Sequence, residues 1–320
     1  MGRAIGVDLG GTKIAAGVVD ARGKILRHET VPYRVGDADA VVERFRELVS
    51  SLDVRDPVGV GIGAAGLIDF ANGRYLYGPN TGLPTFDLAD RLSKVLGLPV
   101  RLDNDANCAA WAEHRFGSGR GTRHFLAVTL GTGIGGGIVI DGKPYRGAHG
   151  VAGEIGHMLV DPEGPVCGCG RRGCWEVLAS GLALTRTVRE ELILEQASAL
   201  WERTGGDPTK VDGPMVTECA RAGDPFARRS VDRLATWVGW GLASLVNILE
   251  PERIAIGGGL ARDWDLLAER AITAMTERAE APEHRTLPDV VAAELGPEAG
   301  IVGAALLVLD GEGGLYGDTP

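Results

Sequence analysis

Asp8-Leu9-Gly10-Gly11-Thr12-Lys13 closes a short apolar strand, Arg3 to Leu9, and opens a second, Ile14 to Val19. The chain turns again at Asp20-Ala21-Arg22-Gly23 into a third strand through Ile25. The glycines therefore sit in a hairpin, with strand on both sides. Dinucleotide-binding and P-loop motifs need strand, loop and then helix, so both are excluded. A turn of Gly10, Gly11, Thr12 and Lys13 can still cradle a phosphate through its backbone N–H groups. Asp8, at the strand end, can hold a magnesium ion through water. A plain tight hairpin is the alternative.

The same design recurs. A strand from Phe125 to Thr129 runs into Leu130-Gly131-Thr132-Gly133-Ile134-Gly135-Gly136-Gly137, then a strand Ile138 to Ile140 turns at Asp141-Gly142-Lys143. An offset of 121 carries Gly10 to Gly131 and Asp20 to Asp141. This is a weak internal repeat of the kind a duplicated domain leaves. Gly131, Thr132 and Gly133 would make a second phosphate cradle, and two cradles facing across a cleft would hold a nucleotide tail. A third glycine run, Gly257-Gly258-Gly259, follows a strand from Arg253 to Ile256. It permits close approach of a flat ring such as adenine, or it simply turns a strand into a helix.

Between these turns lies a group of metal ligands. Cys167, Cys169 and Cys174 occur within eight positions, and His157 stands ten before the first. Zinc takes four such ligands tetrahedrally in closed structural sites. Gly168, Gly170 and Gly173 let the backbone fold tightly enough for the thiols to converge. Buried thiols or a disulfide are the alternative, but the C-x-C-x4-C spacing is hard to explain as packing. Glu154 and Glu176 flank the ligands, so a zinc knot would hold both carboxylates rigidly. Carboxylates and an imidazole suit a polyhydroxylated ligand.

The remaining chain reads as α/β. Ala38 to Leu52 carries apolar residues at helical spacing. Val58 to Ile62 is a strand leading to Gly63-Ala64-Ala65-Gly66 and a long loop through Tyr75, Asn80 and Pro84; such loops carry binding groups, here Gly66 and Asn80. Phe86 to Leu96 is a helix. Pro99 to Leu102 is a strand ending in Asp103-Asn104-Asp105-Ala106-Asn107, before a helix from Cys108 to Phe116. Asp105 sits where ligands bind in open α/β sheets, at the carboxyl end of a strand. It can accept a proton from an alcohol attacking phosphorus, with Asn104 orienting a hydroxyl. The alternative is that Asn104 or Asp105 caps the helix. Leu182 to Trp201, Pro214 to Leu249 and Asp263 to Arg278 read as largely helical, Val290 to Glu294 as a strand and Ile301 to Leu309 as a last helix. Gly311 to Pro320 is glycine-rich and expected to fray.

Composition narrows the classes. A chain of 320 residues suggests about two domains, and 44% hydrophobic with 24% charged residues is ordinary globular usage. A net charge of −10 argues against nucleic acid or an anionic membrane as partner. No apolar run is long enough to span a bilayer, and the start shows no signal peptide. Three of five cysteines belong to the metal group, and Cys108 and Cys219 look like helix core residues. A reducing, cytoplasmic setting follows.

Four segments together resemble the ROK family of repressors, open reading frames and sugar kinases, above all its bacterial glucokinase group. They are Asp8 to Lys13, Leu130 to Gly137, Glu154-Ile155-Gly156-His157 and Cys167 to Glu176. The resemblance runs from Arg3 to about Leu309. It implies a two-domain actin-like ATPase (ribonuclease H-like) fold, with mixed sheets flanked by helices and an interdomain cleft. The expected division is a small α/β domain at 1–108 plus 300–320. The large α/β domain at 109–299 would hold the zinc site and a helical interface region. The implied activity is ATP-dependent transfer to the 6-hydroxyl of glucose, with magnesium accompanying ATP. Asp105 would be the general base, and Gly66, Asn80, Asn104, Glu154, His157 and Glu176 would bind the sugar. Asp8 and the three glycine turns would hold the nucleotide. His157 would serve zinc with one nitrogen and sugar with the other. Family members assemble as dimers or tetramers. Alternatives are a kinase for mannose, fructose or N-acetylglucosamine, a polyphosphate-dependent glucokinase, and a sugar-responsive repressor. The last is disfavoured because the first strand begins near Arg3, leaving no room for a helix-turn-helix.

Overall fold

The computed structural model describes residues 2–33, 37–78 and 81–311. Asn80 lies outside the described residues, as does nearly all of the expected glycine-rich terminus. The chain divides into two compact units. One holds residues 1–127, 136–153 and 293–320; the other holds 128–135 and 154–292.

The first unit is built on a sheet of β1 (Arg3–Leu9), β2 (Lys13–Asp20), β3 (Ile25–Pro32), β4 (Val60–Ala64) and, later in the chain, β7 (Val100–Asn104). Its order is β3-β2-β1-β4-β7. β1, β2 and β3 are antiparallel neighbours, while β1, β4 and β7 run parallel. The register sets Asp8, Gly63 and Asp103 level, with Leu9, Ala64 and Asn104 level beyond them. Three strand ends thus present one edge, the place where such sheets bind ligands.

Side chains alternate across this sheet. Ile5, Val7 and Leu9 bury against α1 (Ala38–Ser51) and α2 (Leu88–Leu96). Ala4, Ala15 and Val19 face α3 (Asp105–Phe116) and α10 (Ala299–Leu309). The α10 backbone lies directly on the sheet. A Cβ at Gly6 would fall 1.9 Å from the Ile301 carbonyl, and one at Gly61 would fall 1.7 Å from that of Ala304. Those two positions admit only glycine without moving the helix.

Three local readings change. The expected long loop after Gly66 contains a hairpin, β5 (Leu67–Asp69) with β6 (Arg74–Tyr77). Its strands are too short to show alternation, and Tyr75 is buried by packing that only the fold supplies. α3 begins at Asp105, not Cys108, because Asn104 caps it by accepting from the Ala106 and Asn107 N–H groups. β9 (Ile134–Ile140) begins four residues before Ile138, so Gly135 to Gly137 lie in strand. Pairing there overrides the low strand preference of glycine.

β8 (Phe125–Leu130) passes from the first unit into the second, β9 returns to the first, and β10 (Lys143–Tyr145) follows β9 antiparallel. With β11 (Arg253–Gly257) and β12 (Asp289–Ala292) they form a sheet of order β10-β9-β8-β11-β12. The second unit also holds α4 (Glu176–Ala179), α5 (Gly181–Glu191), α6 (Ala199–Thr204), α7 (Gly213–Arg221), α8 (Pro225–Leu249) and α9 (Trp264–Arg278). Asp224 caps α8, accepting from the Ala227 N–H, which splits the expected Pro214 to Leu249 helix in two. Among the described residues no helix is long and apolar enough to cross a membrane.

Candidate active site and metal centre

The catalytic candidates of the first unit stand on its sheet edge. Asp105 opens α3 directly after β7, so strand end and helix start fix its backbone. Its carboxylate accepts from the Ala106 N–H at 2.9 Å. Burial, opposed by nearby donors, raises its pKa above the usual carboxylate range. That makes it a stronger base near neutral pH. Asn104 does two jobs: its side-chain oxygen caps α3, and its Nδ2 donates to the Gly66 carbonyl at 3.1 Å. Asn104 and Gly66 are therefore brought together.

Asp8, next to last in β1, stands on the same edge, against the first turn of α10; a Cβ at Gly300 would fall 2.9 Å from its Oδ2. Burial pushes its pKa to about 6, Asp105 adds to the rise, and Lys13 opposes it. The Gly10 turn is a tight hairpin: the Gly10 N–H donates to the Lys13 carbonyl at 3.1 Å. Thr12 and Lys13 are exposed at its tip.

The second unit gathers the candidate metal ligands. Donor atoms of His157, Cys167, Cys169 and Cys174 all lie within 4.8 Å of one another. His157 Nδ1 is 3.7 Å from Cys167 Sγ, and Cys169 Sγ is 3.6 Å from Cys174 Sγ. Sulfurs around tetrahedral zinc stand about 3.8 Å apart, given Zn–S near 2.3 Å, so the donor set fits. Cys167 and Cys174 are buried, and burial pushes the Cys174 thiol up to about 12. A bound cation would ionise it. Short bridges pair Leu159 with Cys174 and Val166 with Arg172, closing the loop around the donors.

The knot is anchored on α8. Trp175 is fully buried, its Nε1 donates to the Trp237 carbonyl at 2.8 Å, and its ring lies over Gly241. The next residue, Glu176, starts α4 and reaches back to the Gly131 turn, where Oε2 accepts the Ile134 N–H at 3.0 Å. Its Oε1 lies 3.9 Å from Cys167 Sγ. Glu176 thus touches both the metal knot and the glycine turn. Glu154 precedes the short helix of Ile155–His157 and is exposed. The Gly181 N–H donates to the Gly131 carbonyl at 2.8 Å, and Thr132 is exposed at the tip. Gly257 ends β11, and Gly258 and Gly259 lead into a short helix beside Leu130.

Sequence reading passed over Asp103 and Arg146. Asp103 is fully buried, and its two oxygens take bonds from Asn104 N–H, Asn107 Nδ2 and Arg146 Nε. Asp103 showed only as a charge within a strand, and Arg146, just after β10, carried no signal of its own.

The profile of the ROK family matches residues 4–311. A glucokinase of Streptomyces coelicolor is 42% identical over 308 residues, covering 95% of this chain and 97% of that protein. A glucokinase of Thermotoga maritima is 38% identical, covering 97% of this chain and 98% of that protein. Among solved structures, a ROK family glucokinase from Streptomyces griseus in complex with glucose and AMPPNP is 42% identical. It superposes with a TM-score of 0.86 over 97% of this chain and all of that one. With matches of this extent, and with the expected actin-like fold of mixed sheets flanked by helices in place, this chain belongs to the ROK family.

Proposed function

We propose that this chain is an ATP-dependent glucokinase that phosphorylates the 6-hydroxyl of glucose. The observation that carries the reading is Asp105: a half-buried carboxylate of raised basicity at the end of β7, beside Asn104. Relatives named glucokinase, one of them bound to glucose and AMPPNP, support the sugar and the donor.

Asp105 takes the proton from the 6-hydroxyl as its oxygen attacks the γ-phosphorus, and ADP departs. Asn104, Gly66, Glu154, His157 and Glu176 hold the sugar hydroxyls. Backbone N–H groups of the Gly10 and Gly131 turns hold the phosphates, and Gly257 to Gly259 approach the adenosine. Magnesium supplies charge neutralisation on the phosphates when it enters with ATP, and Asp8 would hold it through water. Zinc would be held by His157, Cys167, Cys169 and Cys174, all four places filled by protein, which is a structural site. With Nδ1 turned to the thiols, His157 keeps Nε2 for the sugar.

The five free thiols suit the cytoplasm. A homodimer or homotetramer is the assembly that the family resemblance implies; a monomer by light scattering at micromolar concentration would refute that. The test of the function is ADP release with magnesium-ATP across a hexose panel, for parent and Asp105→Asn. Glucose should be preferred, and the variant should lose at least about 10²-fold in kcat while still binding glucose. No turnover on any hexose sinks the reading.

A further inference from the structure

The base stands on a clamp that lies wholly within the first unit. Arg146 follows β10 and is buried to 8% exposure, with Asp103 at 1%. Arg146 Nε donates to Asp103 Oδ2 at 2.7 Å, and its guanidinium lies 3.9 Å from the centre of the Phe70 ring. Phe70 directly follows β5, the hairpin strand that starts just after Gly66. The Arg146 carbonyl accepts the Ala152 N–H at 3.0 Å, which folds residues 146–152 back onto this hairpin. At Gly150 a Cβ would fall 2.8 Å from the Ile68 carbonyl, so this loop rests on the hairpin backbone.

The other face of Asp103 serves the catalytic edge. Its Oδ1 accepts the Asn104 N–H at 2.8 Å and Asn107 Nδ2 at 3.1 Å. Asn104 in turn bonds the Gly66 carbonyl and caps the helix that Asp105 begins. One buried carboxylate therefore ties the strand end, the first turn of α3 and the β5–β6 hairpin to a single cation.

A buried ion pair is seldom a net source of stability, since desolvation offsets the attraction. Hydrophobic residues of similar volume would hold the three elements as well. What they could not supply is direction: a carboxylate accepting three bonds fixes an angle, where apolar packing fixes only a distance. Catalysis by a general base depends on that angle.

We propose that Arg146, acting through Asp103, is a positioning residue that orients Asp105 and Asn104 for proton transfer. This rests on the glucokinase reading above. Neither Arg146 nor Asp103 is assigned to touch substrate.

The experiment compares parent, Arg146→Met and Arg146→Lys as full chains, with kcat and glucose KM measured separately and folding checked by circular dichroism. Met keeps the stem against Phe70 and removes the charge; Lys keeps the charge. Arg146→Met should lose about 10²-fold in kcat, as expected for a base misplaced by about 1 Å, with glucose KM within about threefold. Arg146→Lys should restore at least about tenfold of that loss. If Arg146→Met does not fold, the Lys variant carries the test, because its point charge lacks the planar guanidinium. It should then show reduced kcat at parental KM. A folded Arg146→Met variant with parental kcat overturns the proposal, as does a loss confined to KM or to the folded fraction, or a folded Lys variant with parental kcat when Met fails to fold. A parent inactive on glucose instead overturns the functional reading, and this inference with it.

Discussion

Asp8→Asn should make the protein more stable and less useful, and the gain should depend on pH. Asp8 is pushed to about 6 from 3.8, first by burial and second by the charge of Asp105. The sign follows from linkage. Below about pH 3.8 both folded and unfolded chains hold the proton, and Asp and Asn behave alike. As the pH rises from there to about 6, the unfolded chain releases its proton first and folding stability falls. Above about pH 6 the deficit is complete. At about 1.36 kcal/mol for each pH decade, the gap from 3.8 to about 6 amounts to about 3 kcal/mol. Asparagine cannot ionise, so the variant should recover about 3 kcal/mol at pH 7.5 and about 1 kcal/mol at pH 4.5. Thermal melts of the ligand-free proteins should show a rise of roughly 4–5 °C at pH 7.5 and much less at pH 4.5. Steady-state assays should show loss of the magnesium-ATP response, since a strained acid retained in a fold is retained for a task. A variant that melts at or below the parent at pH 7.5 would refute the argument. So would an equal gain at both pH values, because that gain could not come from titration.

Other outcomes follow from the second unit. Cys169→Ser, or chelation of the parent, should lower metal content, melting temperature and glucose affinity together; structural zinc contributes about 10–16 kcal/mol in isolated peptides. Parental glucose affinity without metal would show that the knot does not buttress Glu154, His157 and Glu176. Gly133→Ala places a methyl group 2.2 Å from Glu176 Oε2. It should lower kcat/KM for glucose by about 10²-fold while metal content, read by mass spectrometry, stays at one per chain. An unaltered kcat/KM would mean that Glu176 does not hold the sugar.

Glu176 gives a reason why a metal held by His157, Cys167, Cys169 and Cys174 would serve a kinase of this design. Its carboxylate accepts a backbone N–H from the Gly131 turn, and its own position is set by Trp175 on α8 and by the thiol loop before it. The loop is rich in glycine and short of apolar residues, so packing alone could not fix it. Metal ligation could, and it would pass that rigidity to the acids on either side. The same loop carries the flanking bridge of Leu159 with Cys174, which sets Glu154 and Glu176 on a common base.

The amino-acid sequence alone determined the features whose signal is local. Hairpin turns at Gly10 and Gly131, the ligand spacing of Cys167, Cys169 and Cys174, and the acid at the end of β7 each declare themselves within about ten residues. So did the strands and helices with clear periodicity, such as the helix read over Ala38 to Leu52 and found at Ala38–Ser51. Tertiary structure alone decided the rest. Asp103 and Arg146 are 43 residues apart, and Ile134 and Glu176 are 42 apart. No periodicity links such pairs, because each meets its partner only after strands from distant parts of the chain have aligned. Asn104 shows the boundary between the two. Its sequence position allowed a helix cap or a ligand contact. The fold uses its oxygen as the cap and its amide on Gly66, because the parallel register of β4 with β7 brings that carbonyl within reach.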